Sequence, residues 1–210
     1  MSRSFRLVLC VFAFFGTFCA EAVAQDLLEP CHPKSGNPYY TGVYRVIDKA
    51  VGRPSRLQLT TFPSFQSESG IRLVDSEVYF VEFQAFFWDQ SYVSDGSGVG
   101  HMDFSKPKIT TKVRHAALSP PVAERVQLVF AKAIANAKES DAGGLDGTSY
   151  VFSTSGESCG AAWSPEPRSK NGRLVELMRR LERHSGFSSP IDLARSEKSL
   201  VRLLQAVESD

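Results

Sequence analysis

The segment Glu77–Trp88 constrains the fold more than any other, because no other stretch alternates so consistently with so much apolar mass. Tyr79, Val81, Phe83, Ala85 and Phe87 share one phase, and Val78, Phe80, Glu82, Gln84, Phe86 and Trp88 share the other. Successive side chains of a strand point to opposite faces, so a two-residue period with one wholly apolar phase predicts a half-buried strand. The other phase sets three aromatics beside Glu82 and Gln84. Helices over both faces would make every one of them core. An open second face would instead offer Phe80, Phe86 and Trp88 as a contact surface for a protein or a glycan. With His101, in the glycine-rich loop that follows, these are the candidate binding residues.

The remaining periodicities place this strand in an α+β fold. Arg56–Thr61 and Ile109–Ala116 alternate, Gly42–Asp48 and Ile71–Val74 do so more weakly, and Thr148–Thr154 and Ser158–Trp163 bracket a turn at Ser155-Gly156. In the strand 109–116 the phase of Ile109, Thr111, Val113 and His115 is expected to face inward. Ser119-Pro120-Pro121 announces a helix, with Ser as the cap and Pro in the first turn. Val122, Val126, Val129, Phe130, Ala133, Ile134 and Ala137 follow at helical spacing, and a stop is expected near Ala142-Gly143-Gly144. Two further helices close the chain: Leu174, Leu177, Met178 and Leu181 stripe one, and Leu200, Leu203, Leu204 and Val207 stripe the other. Ser189-Pro190-Ile191-Asp192 before the last resembles a capping box. Strands cluster without alternating with helices, which predicts a mainly antiparallel sheet from the N-terminal half packed by about three helices, the last two at the C-terminus.

The N-terminus reads as an address rather than as fold. Arg3 and Arg6 precede an uncharged apolar run, Leu7–Phe18, and Ala22-Val23-Ala24 supplies small residues before Gln25. That is the three-part pattern of a secretory signal, with cleavage expected after Ala24. The run is too short to cross a bilayer. The expected organisation is a signal peptide over 1–24, a polar lead over 25–40, and a single α+β domain over 41–210, in the periplasm or outside the cell with no stable membrane anchor. Removing Arg3, Arg6 and Glu21 from 24 basic and 23 acidic residues leaves 22 of each. A chain with no positive excess does not fit a nucleic-acid binder. Cys10 and Cys19 leave with the signal. Cys31 and Cys159 remain and are expected to form one disulfide, closing a loop of about 129 residues.

No motif carries a complete catalytic or cofactor constellation. Gly156-Glu157-Ser158-Cys159-Gly160 satisfies Gly-x-Ser-x-Gly, but the helix that should follow the serine is replaced by Ser164-Pro165-Glu166-Pro167. The acids available before His184 are Glu166, Glu176 and Glu182, which lie on or beside a helix. Gly96-Ser97-Gly98-Val99-Gly100 has neither the dinucleotide nor the Walker spacing, and reads as a loop between strands. His32, His101, His115 and His184 have no second ligand at metal-binding spacing, so no metal or cofactor is expected. Arg168, Lys170, Arg173, Arg179, Arg180 and Arg183 make one segment basic, which suits a solvated helix face or an anionic partner. Together these features predict an exported, non-enzymatic binding protein, an envelope accessory or an inhibitor- or immunity-like factor, with another envelope or secreted protein or a glycan as its partner. A hydrolase centred on Ser158 is the alternative.

Overall fold

The computed structural model describes residues 27–31, 37–94, 96, 100–104, 109–139, 146–155 and 158–209. The proposed signal segment, His32, and the glycines of the 156–160 and 96–100 motifs other than Gly96, Gly100 and Gly160 lie outside them. Among the described residues the strands are β1 (Glu29–Cys31), β2 (Leu57–Pro63), β3 (Ser69–Val74), β4 (Glu77–Phe83), β5 (Tyr92–Ser94), β6 (Gly100–Met102), β7 (Thr111–Ala117), β8 (Thr148–Thr154) and β9 (Cys159–Trp163). The helices are α1 (Pro38–Val51), α2 (Phe87–Gln90), α3 (Pro120–Ala135), α4 (Lys170–His184) and α5 (Pro190–Glu208). Seven strands form one antiparallel sheet in the order β1-β9-β8-β2-β3-β4-β7, and β5 and β6 pair apart from it. The class is α+β, with two helices at the C-terminus.

The sheet is covered on both faces, unequally. Leu57, Leu59, Leu73, Val78, Phe80 and Phe152 form a core with the apolar stripes of α3, α4 and α5. The opposite phase of the same strands, including Phe62, Val81 and Phe83, packs against Val43 and Ile47 of α1. Phe80 therefore belongs to the core, only 4% exposed, with the Arg114 guanidinium 4.8 Å from its ring centroid. It is no part of a contact surface, because its phase of β4 lies beneath the helices.

Helix α1 replaces the strand expected at 42–48. Asn37 accepts a hydrogen bond from the Tyr39 N–H at 3.0 Å, and Pro38 occupies the first turn. Tyr40, Val43, Tyr44 and Ile47 then fall on one helical face, and Gly52 closes the helix in the left-handed region at φ 69°. β1 and the start of α1 both fall within the expected polar lead, so that stretch contributes to the fold. Gly70 on β3 admits α1 closely: a Cβ there would sit 2.7 Å from Ile47 Cδ1.

A buried guanidinium fastens α1 to the sheet. Arg72 of β3 is fully buried, and its Nε donates to Asp48 of α1 at 2.8 Å. Its Nη1 donates to Thr60 of β2 and to the Ile71 carbonyl. Burial pushes the Arg72 pKa down, and Asp48 opposes that shift.

Several ends differ from the sequence pattern for identifiable reasons. β4 stops at Phe83 rather than running to Trp88, because residues 87–90 turn into α2. α3 ends at Ala135, before the glycines. Ser119 does not cap α3 with its side chain; both its N–H and its hydroxyl donate to Glu197, which ties the start of α3 to α5. Asp192 pairs with Arg195 and Ser189 makes no side-chain cap. The side-chain cap found in the C-terminal half is Ser169, which accepts from the Gly172 N–H at 3.0 Å.

Cys31 and Cys159 face each other across the β1–β9 ladder, with Cα atoms 5.2 Å apart, and are joined by a disulfide spanning 128 positions. Closing so long a loop stabilises the fold by up to about 5 kcal/mol through unfolded-state entropy. Reduction is expected to shift the urea midpoint down accordingly, and an unchanged midpoint would show that the bridge constrains little. For the ion pair, Asp48→Ala leaves a buried charge without its partner and is expected to cost about 3–5 kcal/mol. Arg72→Met replaces the charge by an apolar chain, while Asp48, with its side chain 50% exposed, returns to water. Urea denaturation should find Asp48→Ala the more damaging of the two; the reverse order would mean that the guanidinium's hydrogen bonds outweigh its desolvation.

Candidate functional site

One end of the thinly covered face opens into an aromatic cleft of about 500 Å³. It forms where the first turn of α1, the end of β2, the start of β8, the end of β9 and the segment before α2 converge. Tyr39, Tyr40, Phe62, Phe65, Phe86, Trp88 and Trp163 line it. The chain has two tryptophans, and both line this cleft. Phe65 is 78% exposed and Trp88 48%, a large apolar area to leave in water.

Tyr39 organises the wall. Its ring centroid lies 5.3–5.9 Å from those of Tyr40, Phe62, Phe87, Trp88 and Phe104, mostly edge to face. Its hydroxyl donates to Glu68 Oε1 at 2.6 Å. The other oxygen of Glu68 accepts the Phe87 N–H at 2.9 Å. One fully buried carboxylate thus joins the first turn of α1 to the first turn of α2. Burial raises the Glu68 pKa, against the lowering effect of those two hydrogen bonds. Burial, and then the bond to Glu68, raise that of the Tyr39 hydroxyl, so the phenol stays protonated. Partial burial also pushes the nearby Tyr44 phenol up, to about 12.

The opposite wall is held by backbone pairing. The Ser64 N–H donates to the Gly147 carbonyl at 2.9 Å, and the Gly147 N–H to the Ser64 hydroxyl at 3.1 Å. Thr148 and Ser164 pair likewise through Thr148 N–H to Ser164 Oγ and Ser164 N–H to the Thr148 carbonyl. Gly147 lies so close to Trp163 that a Cβ would approach the indole at 2.7 Å. The cleft also carries Asp146, Ser64 and Ser149, and none of its described lining residues is positively charged.

The structure gathers some of the sequence-derived candidates and separates others. Phe86 and Trp88 line the cleft, whereas Phe80 lies beneath the helices on the far face. His101 is exposed on β6, opposite Val93 in the β5–β6 pair, and does not line the cleft. Tyr39, Tyr40, Phe62, Phe65 and Trp163 were not legible as one site, since 124 positions separate the first from the last. The available signal was an exposed-looking Phe65 in a Pro-Ser-Phe turn and the scarcity of tryptophan.

Among the described residues, Ser158 and His184 are not brought together. Ser158 is exposed at the start of β9, while His184 is fully buried and its Nε2 bonds the Ala117 carbonyl at the end of β7, at 2.9 Å. β9 and β7 are five strand steps apart, about 24 Å at the usual spacing. His115 faces outward, its side chain 57% exposed, stacked on Tyr79 and 3.4 Å from Glu77. The inward expectation fails because β7 is the edge strand, outside the core that packs against α1. The Tyr79 hydroxyl bond, with His115 and Arg53 alongside, holds the Glu77 carboxyl below the usual carboxylate range. Among the described residues no group of three or more His, Cys, Asp or Glu could hold a metal ion. None of the described helices is long and apolar enough to cross a membrane. Comparison with known protein families, with curated proteins and with solved structures finds no match to this chain.

Glu68 gives the cleft a pH signature. A carboxyl whose pKa is raised on folding favours the fold while protonated, and that contribution is lost as pH rises through the folded value. Glu68→Gln removes the titration. The stability of the native protein relative to Glu68→Gln is therefore expected to fall as pH rises from the ordinary carboxylate range toward neutrality. Thermal denaturation of both proteins across that range checks the sign, and a difference that grows with pH would refute it.

Proposed function

We propose that this is an exported, non-enzymatic binding protein, periplasmic or extracellular, whose ligand site is the aromatic cleft and whose ligand is an uncharged glycan. The observation that carries the reading is the convergence of both tryptophans and five further aromatics on one cleft, with no cation among its described lining residues. Aromatic faces stack against the apolar C–H faces of sugar rings, and the Asp146 carboxylate and the Ser64 and Ser149 hydroxyls suit sugar hydroxyls at the edges. Ligand sites are commonly concave, mostly apolar and equipped with a few placed polar groups. Export is supported by the disulfide Cys31–Cys159, a bond characteristic of oxidising compartments, and by the signal pattern of residues 1–24. The hydrolase alternative would need a partner for Ser158 other than His184, which sits toward the opposite margin of the sheet.

Because both tryptophans line the cleft, intrinsic fluorescence reports its occupancy directly. Titration with neutral oligosaccharides of glucose and of N-acetylhexosamines is expected to give a saturable change for at least one series. Trp88→Ala should weaken that ligand at least tenfold, the loss of one central aromatic contact. Saturation by a proline-rich peptide, with no response to any oligosaccharide, would overturn the glycan assignment in favour of a protein partner.

A further inference from the structure

We propose that the charge on Glu68 gates the aromatic cleft, which holds its ligand near neutral pH and releases it in acid. The inference rests on the cleft being the ligand site, but not on the ligand being a glycan. Glu68 is fully buried and stands behind the described lining residues rather than among them. Its two oxygens are divided between the two elements that carry aromatic walls. The Tyr39 hydroxyl, in the first turn of α1, donates to Oε1 at 2.6 Å, and the Phe87 N–H, in the first turn of α2, donates to Oε2 at 2.9 Å. Tyr39 and Tyr40 stand on one side of this joint, and Phe86 and Trp88 on the other. An ionised carboxylate only accepts, so it serves both donors at once, and such charge-assisted bonds are roughly twice as strong as neutral ones.

Protonation ends that double service. A proton on Oε2 would meet the Phe87 N–H, donor against donor, so it resides on Oε1 and points at the Tyr39 oxygen. The Tyr39 hydrogen must then find another acceptor. Of the five rings packed on Tyr39, those of Phe62, Phe87, Trp88 and Phe104 supply none, and Tyr40 alone carries a hydroxyl. Satisfying that hydrogen draws the phenol toward Tyr40 or water, and with it the ring whose centroid lies 5.7 Å from that of Trp88. Burial brings the step above the ordinary carboxylate range, and the Asp89 carboxylate of α2 acts in the same direction. The Tyr39 phenol stays protonated throughout. From β4 the contact is backbone, the Phe83 N–H donating to the Glu68 carbonyl, and the buried cation of β3, Arg72, is held by Asp48. Linkage fixes the sign. A ligand that needs both walls in place favours the ionised form, so its affinity falls as pH falls through the folded value. Ionisation thus costs stability while it tightens the joint, and stability and affinity change with pH in opposite senses.

Trp88 fluorescence in the full chain tests the gate without any ligand. Trp163→Phe leaves Trp88 as the one tryptophan. Acrylamide quenching of Trp88 is expected to rise as pH is lowered, with a midpoint above the ordinary carboxylate range, while the far-UV circular dichroism stays constant. Glu68→Gln in the same background keeps Asp146 and every histidine, and is expected to hold quenching at the acid level at every pH. Tyr39→Phe keeps the carboxyl and loses the hydroxyl; it is expected to abolish the transition too, and carries the test if Glu68→Gln does not fold. Cellotetraose and chitotetraose are then titrated against the native chain. Whichever binds at neutral pH is expected to bind about tenfold more weakly in acid, the loss of one charge-assisted bond, and with a pH-independent affinity to Glu68→Gln. Absence of the Trp88 transition, a transition that survives Glu68→Gln, or saccharide affinity indifferent to pH would each overturn the gate. If neither saccharide binds and the transition still requires Glu68, the gate stands and the glycan reading fails.

Discussion

A buried guanidinium holds the second face of the sheet closed. On the first face three helices bury a broad apolar surface, and their packing needs no special device. On the second a single helix must cover the centre of the sheet, and Arg72 reaches from β3 to Asp48 of α1 with Thr60 as a further acceptor. Such a pair adds little net stability relative to apolar packing, because desolvation cancels much of the attraction. Its effect is on placement: only one register of α1 on the sheet brings Asp48 to Arg72 and Ile47 over Gly70. With α1 so placed, its first turn projects past the end of β2, and Tyr39 arrives above Glu68. The cleft is a consequence of that register.

Glu68 converts the placement of a helix into the shape of a site. It is buried at the join between β2 and β3, and it holds a phenol from α1 and a backbone amide from α2. Phe83 ends its strand, the chain turns, and Phe87 packs inward while Trp88 is left in the open. The five-residue path from strand to short helix is thus specified from outside itself. A buried carboxylate with two donors is costly to ionise, and the cost is borne where the site needs two elements fixed relative to each other.

What was legible in the sequence followed from periodicity. The strand ladders from β2 to β4, β7, β8 and β9 and the stripes of α3, α4 and α5 are local patterns, and local patterns survive in a single sequence. The disulfide was legible from cysteine arithmetic alone. Helix α1 was not, because Val43, Tyr44, Val46 and Ile47 are β-formers by propensity and the Asn37-Pro38 start lay inside a stretch rich in proline. Tertiary burial against the sheet overrode that propensity. The cleft was half visible: Phe86 and Trp88 stood out within the aromatic segment, but Phe80 has the same residue type and phase and lies in the core. No local rule separates them, since the difference is where the strand ends.

The balance of charge also conceals more than it states. A formal charge near zero described a surface without electrostatic preference, and for the whole molecule it does. Locally the charges are sorted. Among the described residues the aromatic cleft is lined by Asp146 and no cation, whereas the lining of the cavity beside α3, α4 and α5 includes Lys132, Lys138, Lys170 and Arg173. Arginines of α4 bond Glu176, Tyr150, Ser199 and the Arg168 carbonyl, so the count of arginines in that segment overstates what it presents to a ligand. Fields at the surface fall off within a Debye length of about 8 Å at physiological salt. Two cavities on opposite faces of a sheet flanked by helices therefore act as separate electrostatic environments. A neutral chain can in this way carry an aromatic cleft and, elsewhere, a cavity lined by lysines, and the sum of its charges predicts neither.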